Sequence, residues 1–180
     1  RHFYFLYGPM LALAVLGAQG LWGRVRGARR RVFAALLGLC MALTGVGIAT
    51  QHPYQYAYYQ PLVQLHGTDY NELDYWNVSA RDALARLAGA YDGALTVEPA
   101  DLWSEYALLR ALAALPDDLA GRFICLPEGG GARFVLSNPT YACFSSFSPE
   151  ADMTECVTLS AYGQPIMTLY EHTAKEAVQP

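Results

Sequence analysis

The chain has 180 residues, of which 53% are hydrophobic and 16% are charged, and its net charge is -4. Soluble domains average about 25% charged residues, and the charges here are unevenly placed: residues 1–50 contain no acidic residue, and all 16 acidic residues follow position 68. Nucleic-acid binding by the acidic part is disfavoured because it needs clustered positive charge. After residue 50, about 130 residues remain, enough for one compact core.

Two apolar runs, residues 3–22 and 32–50, are predicted to be transmembrane helices. Neither contains a formal charge, and about 20 residues at 1.5 Å per residue span the roughly 30 Å of a bilayer core. A signal peptide is an alternative for the first run. Its apolar core would be only about 7–15 residues long, and no second span would follow.

The loop between these runs, residues 23–31, carries five arginines and no acidic residue. Such a loop is typical of the cytoplasmic side of a membrane protein. We therefore expect residues 51–180 to be extracytoplasmic. The alternative interpretation is a basic patch that binds nucleic acid or lipid. Because the chain begins at Arg1, we also expect it to continue upstream in a longer protein.

An aromatic collar and linker, residues 51–78, follows the second run. Tyrosine favours the membrane interface, where its ring lies among headgroups and its hydroxyl stays hydrated. The collar therefore has either a structural role or a binding role. In the binding role, basic and aromatic side chains at the outer surface contact a lipid phosphate; the candidates are Arg1, His2, His52, Tyr54 and Tyr56.

These segments resemble a known family. An apolar span opened by Arg1-His2 is followed by a second span that runs into His52-Pro53-Tyr54-Gln55-Tyr56-Ala57-Tyr58-Tyr59-Gln60-Pro61-Leu62-Val63. Next come Glu72-Leu73-Asp74-Tyr75-Trp76 and an amphipathic helix. This pattern resembles the C-terminal end of polytopic membrane glycosyltransferases, similar to the dolichyl-phosphate-mannose-protein mannosyltransferase group (glycosyltransferase family 39, C-type superfamily). It is most specific over residues 52–76, and extends loosely to Leu87 and the Gly163-Gln164-Pro165 turn.

The resemblance implies transfer of a sugar from a polyprenyl-phosphate donor to an acceptor at the outer face of the membrane. In such enzymes the catalytic carboxylates lie in the first outer loop, near the N-terminus, and no position here matches that loop. We therefore expect no catalytic residue and no cofactor in this portion. Its expected partners are membrane lipid and, through the upstream part, the lipid-linked sugar donor. Gln60 departs from the family pattern, in which asparagine is frequent.

A small extracytoplasmic α/β domain is predicted over residues 79–172, with a polar tail at 173–180. Asn77-Val78-Ser79 has the form of a glycosylation sequon, but we favour Ser79 as a helix N-cap with Asp82 as its capping partner. That helix presents an apolar face of Ala83, Leu84, Leu87, Ala88 and Tyr91. A second helix is predicted from about Pro99 or Asp101 to Leu115. Its inner stripe is Leu102, Tyr106, Leu109 and Ala113, widened by Trp103, Leu108, Leu112 and Leu115.

Five short apolar segments are candidate strands: residues 95–97, 122–126, 133–137, 155–161 and 165–170. Alternation of helices and strands favours a small mixed sheet with helices packed on it. The strands at either end of the 95–126 step are expected to be parallel, and the last two strands to form an antiparallel hairpin. The predicted fold is thus a membrane α-helical hairpin of two transmembrane helices followed by this α/β domain.

Cysteines and paired carboxylates supply the remaining candidates for chemistry. We predict a Cys143–Cys156 disulfide with Cys125 unpaired, since disulfides persist outside the cytoplasm. A zinc site is disfavoured because close-set ligand pairs are absent from the sequence. Glu72 and Asp74 face the same way on an extended chain and are candidates for substrate binding; the alternative is that they are solvated or pair with Arg81.

Three functional hypotheses follow. The first is the C-terminal portion of a membrane glycosyltransferase that lacks the catalytic carboxylates. The second is a non-enzymatic membrane anchor that presents an extracytoplasmic binding module, and a structural stub without a ligand is a third. The upstream sequence separates them, because the first requires further spans and an early outer loop with paired acidic residues.

Overall fold

The structure is a computed structural model that describes residues 6–57, 74, 76–139 and 147–173. The chain divides into two compact units, an N-terminal unit of residues 1–50 and a C-terminal unit of residues 51–180. The collar residues that are described therefore belong to the C-terminal unit, whereas the sequence suggested a separate linker before residue 79.

The N-terminal unit consists of helices α1 (Tyr7–Arg24) and α2 (Ala28–Thr50). The predicted loop at 23–31 is shorter than expected, because α2 begins at Ala28 and incorporates the last three arginines of the loop into its first turn. Arginine is a good helix former, and Gly27, with φ of 58°, makes the turn between the helices. Arg30 stacks on Trp22 at 3.9 Å from the ring centroid.

One helix in the described part of the chain, α2, is long and apolar enough to cross a membrane. None of its residues is buried in the structure, as expected of a helix whose surroundings are lipid. The predicted first span at residues 3–22 is not confirmed. The described residues of α1 include Pro9, Gln19 and Arg24, which lower its apolar character, and residues 3–5 lie outside the described part.

The C-terminal unit opens with a short 3-10 helix at Gln55–Ala57 and continues as an α/β domain. Its helices are α3 (Val78–Ala90), α4 (Leu102–Ala114) and α5 (Asp117–Ala120). Its strands are β1 (Leu95–Pro99), β2 (Phe123–Cys125), β3 (Phe134–Ser137), β4 (Met153–Ala161) and β5 (Gln164–His172). Each predicted strand therefore exists with boundaries within a few residues of those expected, whereas α5 was not predicted.

The five strands form one mixed sheet in the order β2-β1-β3-β5-β4. Strand β1 is parallel to both β2 and β3, which confirms the predicted parallel step, and β5 is antiparallel to β3 and β4. Helix α3 packs against β4 and β5, α4 packs against β1 and β3, and the two helices contact each other. Both helices therefore cover the same face of the sheet.

The core lies between these two helices and the sheet. Its largest fully buried side chains include Leu84 and Leu87 from α3, Phe134 and Leu136 from β3, and Leu169 from β5. Each such side chain contributes about 1.5–3 kcal/mol by leaving water. The predicted apolar face of α3 is therefore confirmed.

The predicted inner stripe of α4 is wrong, although Leu108 and Leu115, which were predicted to widen it, are buried. Leu102, Tyr106 and Leu109 are 59%, 56% and 55% exposed, and the face that packs on the sheet is formed by Ser104, Ala107, Leu108 and Ala111. Both faces repeat at helical spacing, so periodicity alone does not distinguish them. Small residues on the buried face let the helix approach the sheet closely, and the larger apolar residues are left outside.

Candidate functional site

The described collar residues lie at one end of the C-terminal unit, where several elements begin or end. Tyr54 bonds to Asp82 in α3, and Tyr56 bonds to Asp74, which in turn accepts from Val78 at the start of α3. The Gln51 Oε1 atom accepts a hydrogen bond from Tyr162 N, in the β4–β5 turn, at 2.8 Å. Since Ser137 pairs with Thr168, the start of β5 lies beside the carboxyl end of β3. We call this region the collar end.

Asp74 is the central acceptor of the collar end. It is fully buried, and its Oδ1 atom accepts hydrogen bonds from the Tyr56 hydroxyl at 2.8 Å and from Val78 N at 3.0 Å. Its Oδ2 atom accepts from the backbone and side chain of Ser79. Asp74 therefore satisfies backbone donors in the first turn of α3 that have no partner within the helix.

The predicted N-cap of this helix is accordingly wrong. The helix begins at Val78, and the preceding residue, Asn77, has the left-handed conformation with φ of 55° and makes no side-chain cap. Ser79 is inside the first turn and donates to Asp74. The predicted capping partner, Asp82, accepts a hydrogen bond from the Tyr54 hydroxyl at 2.9 Å. Asp74 replaces a conventional cap because the chain loops back on itself before α3.

Tyr54 and Tyr56 bind the collar to the domain. Tyr54 is buried and belongs to the hydrophobic core, and the rings of the two tyrosines meet edge to face at 6.5 Å. The pKa of Tyr54 is raised by burial and then by its hydrogen bond to Asp82, and the pKa of Tyr56 is raised by burial and then by the charge of Asp74. Both hydroxyls therefore remain protonated donors near neutral pH.

His52 is exposed, as is the ring of Tyr56, whereas Tyr54 is buried. The Nδ1 atom of His52 lies 2.7 Å from Gln55 Nε2, so the amide donates to the ring nitrogen and the side chain has one defined partner. Of the other predicted binding residues, Arg1, His2 and Glu72 lie outside the described part of the chain. Among the exposed predicted residues that the structure describes, Tyr56 bonds to the buried Asp74, whereas the partner of His52 is the nearby Gln55.

A second polar group extends the collar end to the start of α4. Asn138, directly after β3, donates through Nδ2 to Asn77 Oδ1 and to Asp74 O, and Asn138 N donates to Ser104 Oγ at 3.2 Å. Asp101 caps α4 by accepting from Ser104 N at 2.7 Å. The sequence signalled these residues as a strand end and a helix start, but not that they meet.

Asp101 also carries a buried oxygen, Oδ2, for which the structure shows no hydrogen-bond partner. Leaving a buried polar atom unpaired costs free energy, so this oxygen is a notable feature of the collar end. Asp101 as a residue is only partly buried, however, and its other oxygen has an ordinary role as a helix cap.

Two further polar clusters lie at the other end of β5. Tyr91 and Arg133 both donate to Glu171; burial acts to raise the pKa of Glu171, but these hydrogen bonds and the charge of Arg133 prevail and lower it. The pKa of Tyr91 is raised to about 12, chiefly by its hydrogen bond to Glu171. Glu171 therefore binds α3 to the sheet as a carboxylate.

The other cluster contains the groups that come nearest to a metal site in the described part of the chain: Glu150, Asp152 and His172, whose ligand atoms lie within 4.8 Å of one another. His172 is buried and its Nδ1 atom lies 2.9 Å from Asp152 Oδ2. Thr173 also bonds to the backbone of Asp152. These contacts join the start of β4 to the end of β5, which accounts for the arrangement without an ion.

The predicted Cys143–Cys156 disulfide is not formed, because Cys156 is a free cysteine in the structure; Cys143 lies outside the described residues. Cys156 occupies an irregularity in β4 between Glu155 and Val157, and its thiol contacts Leu169 O at 3.3 Å. Burial, followed by the nearby charge of Glu171, raises the pKa of the thiol to about 11. The thiol is therefore protonated and unreactive near neutral pH.

Comparison with known proteins gives no match: no family model, no curated protein and no solved structure is similar to this chain. The functional argument therefore depends on the collar end itself. Apart from Asp101 Oδ2, its buried polar side chains described above have structural partners, whereas His52 is exposed and follows the end of α2 by two residues in the sequence.

Proposed function

We propose that this chain is the C-terminal portion of an integral-membrane glycosyltransferase, which transfers a sugar from a polyprenyl-phosphate-linked donor to an acceptor on the outer face of the membrane. The catalytic carboxylates belong to a part of the protein upstream of Arg1. This portion contributes membrane helices and an outer domain beside the donor's phosphate.

The observation that carries the proposal is the junction at residues 50–54. A helix apolar enough to cross a membrane ends at Thr50, His52 is exposed, and Tyr54 is already part of the domain core. The folded domain therefore starts within four residues of the span. In the proposal, His52 therefore lies at headgroup depth, where its ring can contact a lipid phosphate.

The structure narrows the residues to which this role is assigned. Asp74 accepts four hydrogen bonds from the protein, and the hydroxyls of Tyr54 and Tyr56 donate to Asp82 and Asp74. We assign these three residues to the framework that fixes the collar. We retain His52, together with Arg1 and His2 upstream, as the groups that contact the donor.

The second candidate function is a non-enzymatic membrane anchor with an extracytoplasmic binding module. This candidate is favoured because the buried polar groups of the collar bond to other groups of the protein. A binding module needs such a stable framework and does not need a catalytic group. The two candidates differ in one measurable property: only the first binds a polyprenyl-phosphate sugar.

The membrane orientation in the proposal predicts a labelling pattern. The turn at Gly27 is flanked by Arg24 in α1 and by three arginines that open α2, and such a cluster favours the cytoplasmic side. In a background in which the four native cysteines are replaced by serine, a cysteine introduced as Gly27→Cys should resist a membrane-impermeant thiol reagent in intact cells until the cells are permeabilised. A cysteine introduced as Asp92→Cys, at an exposed turn of the domain, should react at once; the reverse pattern would contradict the orientation.

Donor binding tests the role of His52 in the longer protein that contains this chain. His52→Ala should weaken binding of the polyprenyl-phosphate sugar about ten-fold, which corresponds to about 1.4 kcal/mol and is near the lower end for a hydrogen bond to a charged group. Affinity is measured by equilibrium binding of radiolabelled donor to purified protein in micelles.

The matched control is Asp92→Ala, which removes an exposed side chain at the amino end of β1 and should leave the affinity unchanged. Gln55→Ala should have an intermediate effect, because it removes the partner of the His52 ring. Equal donor affinity in the wild type and in His52→Ala would remove His52 from the site. Absence of any donor binding by the wild type would favour the binding-module alternative.

A further inference from the structure

Helix α4 exposes an unusually apolar face, formed by Leu102, Tyr106, Leu109 and Ala113, which we call the apolar stripe. These residues recur at the spacing of one helix face, directly opposite the buried face of Ser104, Ala107 and Ala111. Trp103 flanks the stripe and is 42% exposed. Isolated apolar residues on a surface need no explanation, but a continuous aromatic and aliphatic face usually marks an interaction surface.

Hydrogen bonds connect the beginning of the stripe to the collar. Tyr56 donates to Asp74, the Asp74 carbonyl accepts from Asn138, and Asn138 N donates to Ser104 in the first turn of α4. Leu102 and Trp103 adjoin Ser104 in sequence. The apolar stripe therefore begins at the collar end, the same end of the domain at which the chain arrives from α2.

The connection to α2 is too short for this end of the domain to leave the membrane surface. The buried Tyr54 lies four positions after Thr50, the end of α2, and four extended residues reach at most about 14 Å. When α2 spans a bilayer, the collar end is thus confined to the headgroup layer or directly above it. The bilayer is then the apolar surface that is always within reach of the stripe.

The chemistry of the stripe suits a lipid surface. Tryptophan and tyrosine are enriched at the membrane–water interface, and leucine buries its side chain at the acyl boundary. The C-terminal unit carries 16 acidic but only six basic residues, so attraction to anionic lipids does not drive the contact. The driving force is therefore insertion of apolar and aromatic side chains, and this insertion also occurs in a zwitterionic membrane.

We propose that α4 docks on the outer lipid leaflet, with Leu102, Tyr106 and Leu109 inserted between the headgroups. Docking fixes the domain at three points, α2, the collar and α4, and so holds His52 at a constant depth. The inference rests on the membrane anchorage in the proposed function, but not on sugar transfer.

Quenching by brominated lipid tests this docking in the full chain. Of the three tryptophans, Trp22 and Trp76 are replaced by phenylalanine, which leaves Trp103 as the fluorophore. The protein is reconstituted in phosphatidylcholine vesicles with bromine on the upper part of the acyl chain. An interfacial helix lies about 5–10 Å into the headgroup and acyl boundary, so the emission of Trp103 should fall about two-fold relative to unbrominated vesicles.

Two matched variants serve as controls. In one, all three tryptophans are replaced by phenylalanine and Asp92→Trp is added at the opposite end of β1, where emission should not change. In the other, Leu109→Asp is added to the Trp103 protein; this side chain is 55% exposed, so the domain stays folded while the charge lifts α4 from the lipid and quenching is lost. Replacing part of the lipid with phosphatidylglycerol should not increase the quenching.

Flotation of the same samples distinguishes failure of the membrane anchorage from failure of the docking of α4. A chain that fails to float with vesicles at high pH contradicts the membrane anchorage itself. A chain that floats but whose Trp103 is not quenched overturns the docking of α4 alone. A third outcome also overturns the docking of α4: brominated lipid does not quench Trp103, and protection of Trp103 from acrylamide increases with the protein-to-lipid ratio. That result would show that the stripe contacts a second copy of the chain.

Discussion

Asp74→Ala should lower the free energy of unfolding of the C-terminal unit by about 3–5 kcal/mol, because it leaves four donors without an acceptor, of which the two on Ser79 are buried and cost about 1–3 kcal/mol each. These donors are the Tyr56 hydroxyl, Val78 N and both the backbone and the hydroxyl of Ser79. Since a domain has a total stability of about 5–15 kcal/mol, this loss would be a large part of it.

Urea titration of the full chain in detergent micelles, followed by near-ultraviolet circular dichroism, measures the effect as a lower transition midpoint. Asp92→Ala is the matched control, because that carboxylate is exposed and its removal should cost less than about 0.5 kcal/mol. Tyr56→Phe removes only one of the donors and should cost about 1 kcal/mol. Equal midpoints for Asp74→Ala and the wild type would show that the carboxylate does not hold α3.

Arg122→Ala should be the second most damaging change, with a loss of about 2–3 kcal/mol. The Arg122 guanidinium donates to three carbonyl oxygens at the end of α3 and in the turn that follows, those of Ala88, Tyr91 and Gly93. It thereby supplies both hydrogen bonds and positive charge where the helix dipole is negative. Arg122→Lys should recover only part of the stability, because one ammonium group does not reproduce the planar fork.

The matched control for Arg122 is Arg110→Ala, which removes the same side chain from an exposed position of α4. The same urea titration should give a midpoint close to that of the wild type for Arg110→Ala. It should rank the others in the order wild type, Arg122→Lys, Arg122→Ala. A loss from Arg110→Ala as large as that from Arg122→Ala would assign the effect to net charge instead of to the three carbonyl contacts.

The positions of the helices and strands were predicted more accurately than the face of each helix that is buried. The strands, the parallel step and α3 were predictable because their apolar residues have one plausible orientation. In α4 the same period fitted two faces, and the more apolar one was chosen as buried. Which face of α4 is buried depends on how closely the helix approaches β1 and β3. That distance is set by the sheet and cannot be read from the spacing of Leu102, Tyr106 and Leu109.

The collar end was predicted as a region but not as a structure. His52 stood out because it follows an apolar span, and the structure leaves it exposed. Asp74 was predicted to bind a substrate, whereas its four hydrogen bonds come from residues 56, 78 and 79. Sequence rules for helix caps consider the residue just before the helix. They therefore do not predict that the Asp74 carboxylate, four residues before Val78, accepts the hydrogen bonds of the first turn.

The interior position of β5 in the sheet has a consequence for synthesis. Strand β4 is paired in this sheet through β5 alone, and β3 needs β5 on its outer edge. A chain synthesised from its N-terminus therefore cannot close the sheet until His172 has been translated. Until then β3 and β4 expose unpaired edges, which are prone to aggregation. We expect a stop codon that removes β5 to leave the C-terminal unit unfolded and open to proteases.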